Sequence, residues 1–176
     1  ERYMGWERKR GALTELVRLL KGKPTGLEVK AGEKGWLRQV KYVITLDSDT
    51  SLNVGTAREL AGAMLHPLNQ PVIDPERRVV TSGHALFQPR VAVELEAANR
   101  SLFSRVFGGL GGVDPYGCAA SDVYHDLFDQ GSYTGKGIFS VDAFYACLDG
   151  RFPDNTILSH DLLEGSYLRA GLLGEV

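Results

Sequence analysis

The chain has 176 residues, 43% hydrophobic and 24% charged, which is enough for one globular domain with a packed core and too little for two ordinary ones. Its 20 basic and 22 acidic residues give a net charge of −2, which excludes the global positive field of a polyanion binder, so no nucleic-acid partner is expected. No apolar run approaches the roughly 18–20 residues that cross a bilayer, and no signal-peptide pattern opens the chain; Cys118 and Cys147 form no disulfide or zinc pattern, so a soluble piece from a reducing compartment is expected.

In chain order, Leu13, Val17 and Leu20 predict a helix from about residue 10 to residue 20, ended by Gly22 and Pro24. The apolar, β-branched run over residues 39–46 predicts a buried strand that stops at Asp47-Ser48-Asp49-Thr50. Residues 55–65 carry Ala57, Leu60, Ala61, Met64 and Leu65 at helical spacing, closed by His66 before Pro67. Two short strands are expected over 77–82 and 84–88, broken at Gly83, with Pro89 interrupting any further ladder. Helix is expected over 91–107, a glycine-rich loop over 108–117, and a short helix over 121–128 with Ser121 as its cap. A second glycine-rich loop spans 131–137, followed by a strand over 137–141 and helices over 142–148 and 159–170. Strands alternating with helices predict an α/β layered domain.

The most informative stretch is the D-x-D of Asp47 and Asp49 at the end of an apolar strand, because open α/β sheets bind ligands at that edge. Two carboxylates one residue apart can converge on a hard cation, Mg²⁺ or Mn²⁺, that keeps positions open for the phosphates of a nucleotide diphosphate. A solvated acidic turn is the plain alternative, and the strand before it weighs against that. The same D-x-D-x-T also fits a haloacid-dehalogenase-type phosphatase with Asp47 as nucleophile and a hydroxyl from residues 77–82. Against that stand the helix preceding the motif and the lack of a later acidic pair on an apolar strand. Residues 156–165 lead into a helix with Asp161 and Glu164 near its start. The helix dipole explains Glu164, whereas Asp161 can face a cleft as a general base. In the loop 130–137 the glycines around Lys136 allow close approach to a sugar or phosphate as readily as they make a plain tight loop. With three residues between Gly131 and Gly135, and Gly137 after Lys136, it is no Walker A motif. Arg8-Lys9-Arg10 could touch phosphate or be a solvated helix start. His66, His84 and His125 show no metal-ligand spacing and are given no role.

Taken in order, these stretches resemble the glycosyltransferase domain of bacterial cyclic β-1,2-glucan synthases, large inner-membrane proteins, over nearly the whole chain. The resemblance is carried by residues 1–13, the strand and loop of residues 42–50, Gln88-Pro89-Arg90-Val91, Asp114-Pro115-Tyr116, Ser121-Asp122-Val123-Tyr124, residues 131–137 and Ser159-His160-Asp161-Leu162. A more distant similarity is to processive family 2 glycosyltransferases. Lys9-Arg10-Gly11-Ala12-Leu13 matches their Lys-x-Gly-Ala-Leu segment, and Asp161 aligns with the second acid of their Glu-Asp pair, His160 replacing the first. Their Gln-x-x-Arg-Trp motif is absent. The resemblance implies a single α/β, GT-A-like (Rossmann-like) core, truncated at its N-terminal side as an internal fragment. It implies transfer of glucose from UDP-glucose to the 2-hydroxyl of a growing β-1,2-glucan, with inversion. In that reading Asp47 and Asp49 meet the nucleotide sugar and a Mg²⁺ or Mn²⁺ ion, Lys9 and Lys136 border the donor, and Asp161 is the base. The parent protein would work on the cytoplasmic side of the inner membrane. The isolated piece would be soluble, poorly active or inactive, and prone to self-association through an uncovered strand edge. The phosphatase and a non-catalytic carbohydrate-binding remnant are the alternatives.

Overall fold

A computed structural model describes residues 6–48, 50–91, 123–157 and 159–174. Helix α1, Arg8–Leu20, buries Leu13, Val17 and Leu20 as their spacing predicts. Its solvent flank is tied down by charge: Arg18 donates to Asp149 at 2.7 Å and to Glu15 at 3.0 Å, and Glu15 also accepts from the Thr25 hydroxyl at 2.6 Å. Strand β1 is shorter than expected, Tyr42–Thr45, because Leu37–Gln39 coil into a 3-10 turn. Helix α2, Thr56–Leu65, ends at His66 as the following proline requires.

Strand β2, Val72–Asp74, was not expected; it pairs antiparallel with β3, Val79–Ser82, through a bulged register. The Asp74 carboxylate accepts from the backbone N–H groups of Glu76 and Arg77 at 2.9 and 3.0 Å, which closes that turn. Strand β4 is Leu86–Pro89, α3 is Val123–Phe128, β5 is Gly137–Ser140 and α4 is Val141–Leu148, capped by Ser140 Oγ. Helix α5, His160–Leu168, stops before residue 170, and Ala170–Leu173 form β6 where a helix end was expected. Pro89, expected to interrupt pairing, is the last residue of β4 and lies opposite Leu173 of β6. A strand's end tolerates it. The helix and loop expected over 91–107 and 108–117, the Ser121 cap, and Asp49 lie outside the described residues.

The main sheet has the order β1-β5-β4-β6, with β5 antiparallel to β1 and β4, and β4 parallel to β6. Alternate residues point to opposite faces, and both faces are covered. Leu86 and Phe139 join the larger cluster with Leu13, Val17, Phe144 and Cys147, whereas Phe87 and Ile138 join Leu60 and Met64 of α2 on the other side. Phe139 and Phe144 rings meet at 4.8 Å between centroids. Cys147 is a free, fully buried thiol whose pKa is pushed up by burial. The fold is thus a mixed α/β layered structure, in which β1 is an outer strand among the described residues.

Candidate active site

Because β1, β4 and β6 run the same way, their C-terminal ends share one edge, and β5 begins there. Thr45, the last residue of β1, lies opposite Gly137, the first of β5. Asp47, two residues beyond Thr45, is therefore thrown against Lys136, one residue before Gly137. Lys136 Nζ stands 2.8 Å from Asp47 Oδ2, and Lys9 Nζ donates to Asp47 Oδ1 at 2.6 Å and to the Gly135 carbonyl at 2.6 Å. Hydrogen bonds from Lys136 and Lys9 hold the Asp47 carboxyl below the usual carboxylate range.

Lys9 reaches the edge from the first turn of α1. Two residues on, a Cβ at Gly11 would lie 1.8 Å from the Trp6 carbonyl oxygen, so the chain entering the helix can cross it only over glycine. The loop carrying Lys136 is fastened from beneath. Thr45 Oγ1 lies 3.2 Å from both the Tyr133 hydroxyl and the Gly135 carbonyl oxygen. Gln88, fully buried at the end of β4, accepts from the Thr134 N–H at 2.6 Å and the Thr134 hydroxyl at 3.1 Å, while its own Nε2 has no partner. Burial, reinforced by the charge of Glu164, raises the Tyr133 pKa far above the ordinary phenol value, so Tyr133 is a neutral hydroxyl.

Asp161 enters from the first turn of α5. Its Oδ1 is buried and accepts no hydrogen bond. A Cβ built on Gly135, whose φ is +82°, would come within 2.7 Å of Asp161 Oδ1 and 3.1 Å of Lys9 Nζ. Gly135 is therefore the point around which the lysine clamp and the free carboxylate oxygen meet. Behind it, His160 Nδ1 lies 3.1 Å from Glu164 Oε1 and 3.2 Å from Asp161 Oδ1, with the hydrogen bond made to Glu164. Glu164 is not the helix-start acid of the sequence reading: its side chain is 3% exposed, and burial pushes its pKa up. The hydrogen bond to Glu164 raises the His160 pKa.

Lys9, Asp47, Lys136 and Asp161, singled out from the sequence, thus converge on one edge; Asp49 lies outside the described residues. Gln88, Thr45, Tyr133, His160 and Glu164 are additional members. Thr45, Gln88, Tyr133 and His160 lie in stretches that carried the resemblance, and Glu164 was read only as an acid at a helix start. A divalent ion fits poorly at Asp47, whose two oxygens already face ammonium groups. The potential ligand atoms of His160, Asp161 and Glu164 lie within 4.8 Å of one another, yet the buried Glu164 is spent on His160, so the trio is a hydrogen-bonded group rather than a cation cage.

This α/β edge offers two ammonium donors and, beside them, a buried carboxylate oxygen that has no donor. No family model matches the chain. Over 175 residues, 99% of its length, it is 46% identical to the protein named cyclic beta-(1,2)-glucan synthase NdvB of Rhizobium meliloti (strain 1021), and it covers 6% of that relative. The chain is homologous to this one segment of the synthase.

Proposed function

We propose that the chain is the catalytic portion of a glucosyltransferase that moves glucose from UDP-glucose to a growing β-1,2-glucan with inversion. The carrying observation is the buried Oδ1 of Asp161, which has no hydrogen-bond donor and lies against the Gly135 turn where Lys9, Asp47 and Lys136 meet. A buried carboxylate oxygen without a donor is costly, and an acceptor hydroxyl supplies one. Homology to a glucan synthase favours glycosyl transfer over the phosphatase reading of the D-x-D-x-T stretch.

In the proposed step the acceptor oxygen forms its bond to the anomeric carbon as the bond from that carbon to the diphosphate oxygen breaks. The electron pair leaves with UDP, and the acceptor proton passes to Asp161. Lys9 and Lys136 bring two ammonium groups to the site, and these face the charge that develops on the leaving diphosphate. Asp47 fixes both ammonium groups and accepts from donor hydroxyls. The expected Mg²⁺ or Mn²⁺ is assigned to Asp49, where it would add charge against the diphosphate; Asp47 is left to the lysines. Among the described residues no helix is long and apolar enough to cross a membrane. Self-association of the isolated chain would run along the outer edge of β1.

The test is Asp161→Asn in the full-length protein. UDP affinity stays at the parent value while transfer falls about 10²-fold or more. Turnover near the parent rate would overturn the assignment.

A further inference from the structure

We propose that Glu164 is a positioning residue: by holding the Nδ1 proton of His160, it keeps Asp161 Oδ1 open for the acceptor hydroxyl. The inference rests on the reading of Asp161 as the base. Nδ1 faces two carboxylates, Glu164 Oε1 at 3.1 Å and Asp161 Oδ1 at 3.2 Å, and ionised carboxylates only accept, so the proton sits on Nδ1. One N–H makes one well-aligned hydrogen bond, and here it goes to Glu164 while Asp161 Oδ1 stays without a donor.

The arrangement is set by the helix. His160 and Glu164 are one turn apart, so their side chains share a face, and Asp161 flanks the same turn. Glu164 is 3% exposed, its charge acts on the Tyr133 hydroxyl, and it lines a small pocket with Arg10, Thr14, Phe144 and Phe152. A carboxylate shut away there holds its charge only with a donor, and His160 is that donor. The other ionisable groups near His160 are Asp161 on its own helix and Lys9 and Arg10 on α1. None of them accepts the Nδ1 proton in place of Glu164 except Asp161.

Removal of the Glu164 charge then has a specific consequence. An amide is a weaker acceptor than a carboxylate, so the His160 proton turns to Asp161. That bond occupies the lone pair meant for the acceptor and stabilises the ionised base, which lowers its basicity.

The experiment compares the full-length parent, Glu164→Gln, the double variant Glu164→Leu with His160→Leu, and Asp161→Asn, reading UDP affinity and the pH dependence of kcat for sugar transfer. Glu164→Gln should keep UDP affinity, lose about tenfold in kcat, and shift its acid limb to lower pH. The double variant has no donor left to quench Asp161 and no unpaired buried charge, and should regain most of that loss. A Glu164→Gln protein with the parent's kcat and pH profile, or a double variant no faster than Glu164→Gln, would overturn the proposal. So would loss of UDP affinity in Glu164→Gln, which would assign Glu164 to the fold. Parent-like turnover in Asp161→Asn would instead remove the base reading itself.

Discussion

Helix α1 serves two charge clusters, and they are built on opposite plans. In its last turn, the Arg18 guanidinium lies between Glu15 and Asp149, and Glu15 is further bonded to Thr25. There acids outnumber bases and every group has its partners within the fold. At its start, Lys9 joins Lys136 on the single carboxylate of Asp47, beside an Asp161 oxygen that has no donor. The first cluster is closed and fastens a connection. The second leaves one buried acceptor without a donor, a departure from full satisfaction of the kind found at functional sites.

Asp47→Asn attacks the open cluster most directly, since it leaves two ammonium groups facing each other with no negative charge between them. Transfer by the full-length protein should fall about 10²-fold, while the unfolding free energy changes by less than about 1 kcal/mol because the pair is partly solvated. Equal losses of stability and activity would erase the distinction between the clusters. Gly135→Ala comes next: the added methyl meets Asp161 Oδ1 and Lys9 Nζ in a left-handed backbone. About tenfold lower turnover and roughly 1–3 kcal/mol of lost stability are expected from kinetics and urea unfolding. Unchanged turnover would show that Lys9 and Asp161 do not work around this turn. Arg18→Ala should do the converse, lowering stability by about 1 kcal/mol with transfer and UDP affinity at parent values.

The smallest effect is in pH. Glu15, lowered chiefly by Thr25 and Gly26, and Asp47, lowered by Lys136 and Lys9, have depressed native pKa values. Their contributions are present above the unfolded carboxylate value of about 4 and are lost as pH falls through the lower native values. His160 runs the other way: its raised native pKa makes its contribution complete below about 6.5, and that contribution is lost as pH rises through the native value. Urea midpoints measured across neutral pH should therefore drop more in the parent than in Glu164→Gln. Parallel curves would remove His160 from the balance.

What could be read from the sequence follows from the distance over which each signal acts. The four- and three-residue spacing of Leu13, Val17 and Leu20 is local, and α1 lies where that spacing puts it. Asp47 and Lys136 were marked by residue type beside a strand and a glycine loop, and Lys9 and Asp161 by helix starts and the resemblance, although nothing local says that residues 9 and 161 meet at Gly135. Strand β6 was not foreseen, the helix being carried on to Ala170 and residues 171–173 left unassigned, because Ala170-Gly171-Leu172-Leu173 pairs with the distant β4. Glu164 was misjudged for the same reason. A glutamate near a helix start is ordinarily solvated, and its burial under Tyr133 comes from a loop some thirty residues earlier in the chain. Gln88 is bound to Thr134 across the sheet edge, a pairing with no local periodicity to reveal it.

Cys147 gives the domain a built-in reporter. Its thiol is fully enclosed among Leu13, Val17 and Phe144 on the face opposite α2, and burial disfavours the reactive thiolate. An alkylating reagent can label it only in molecules whose α1–α4 packing has opened. Brief labelling followed by peptide mass analysis would therefore count opened copies inside the full-length protein without a tag, while turnover is followed in the same preparation.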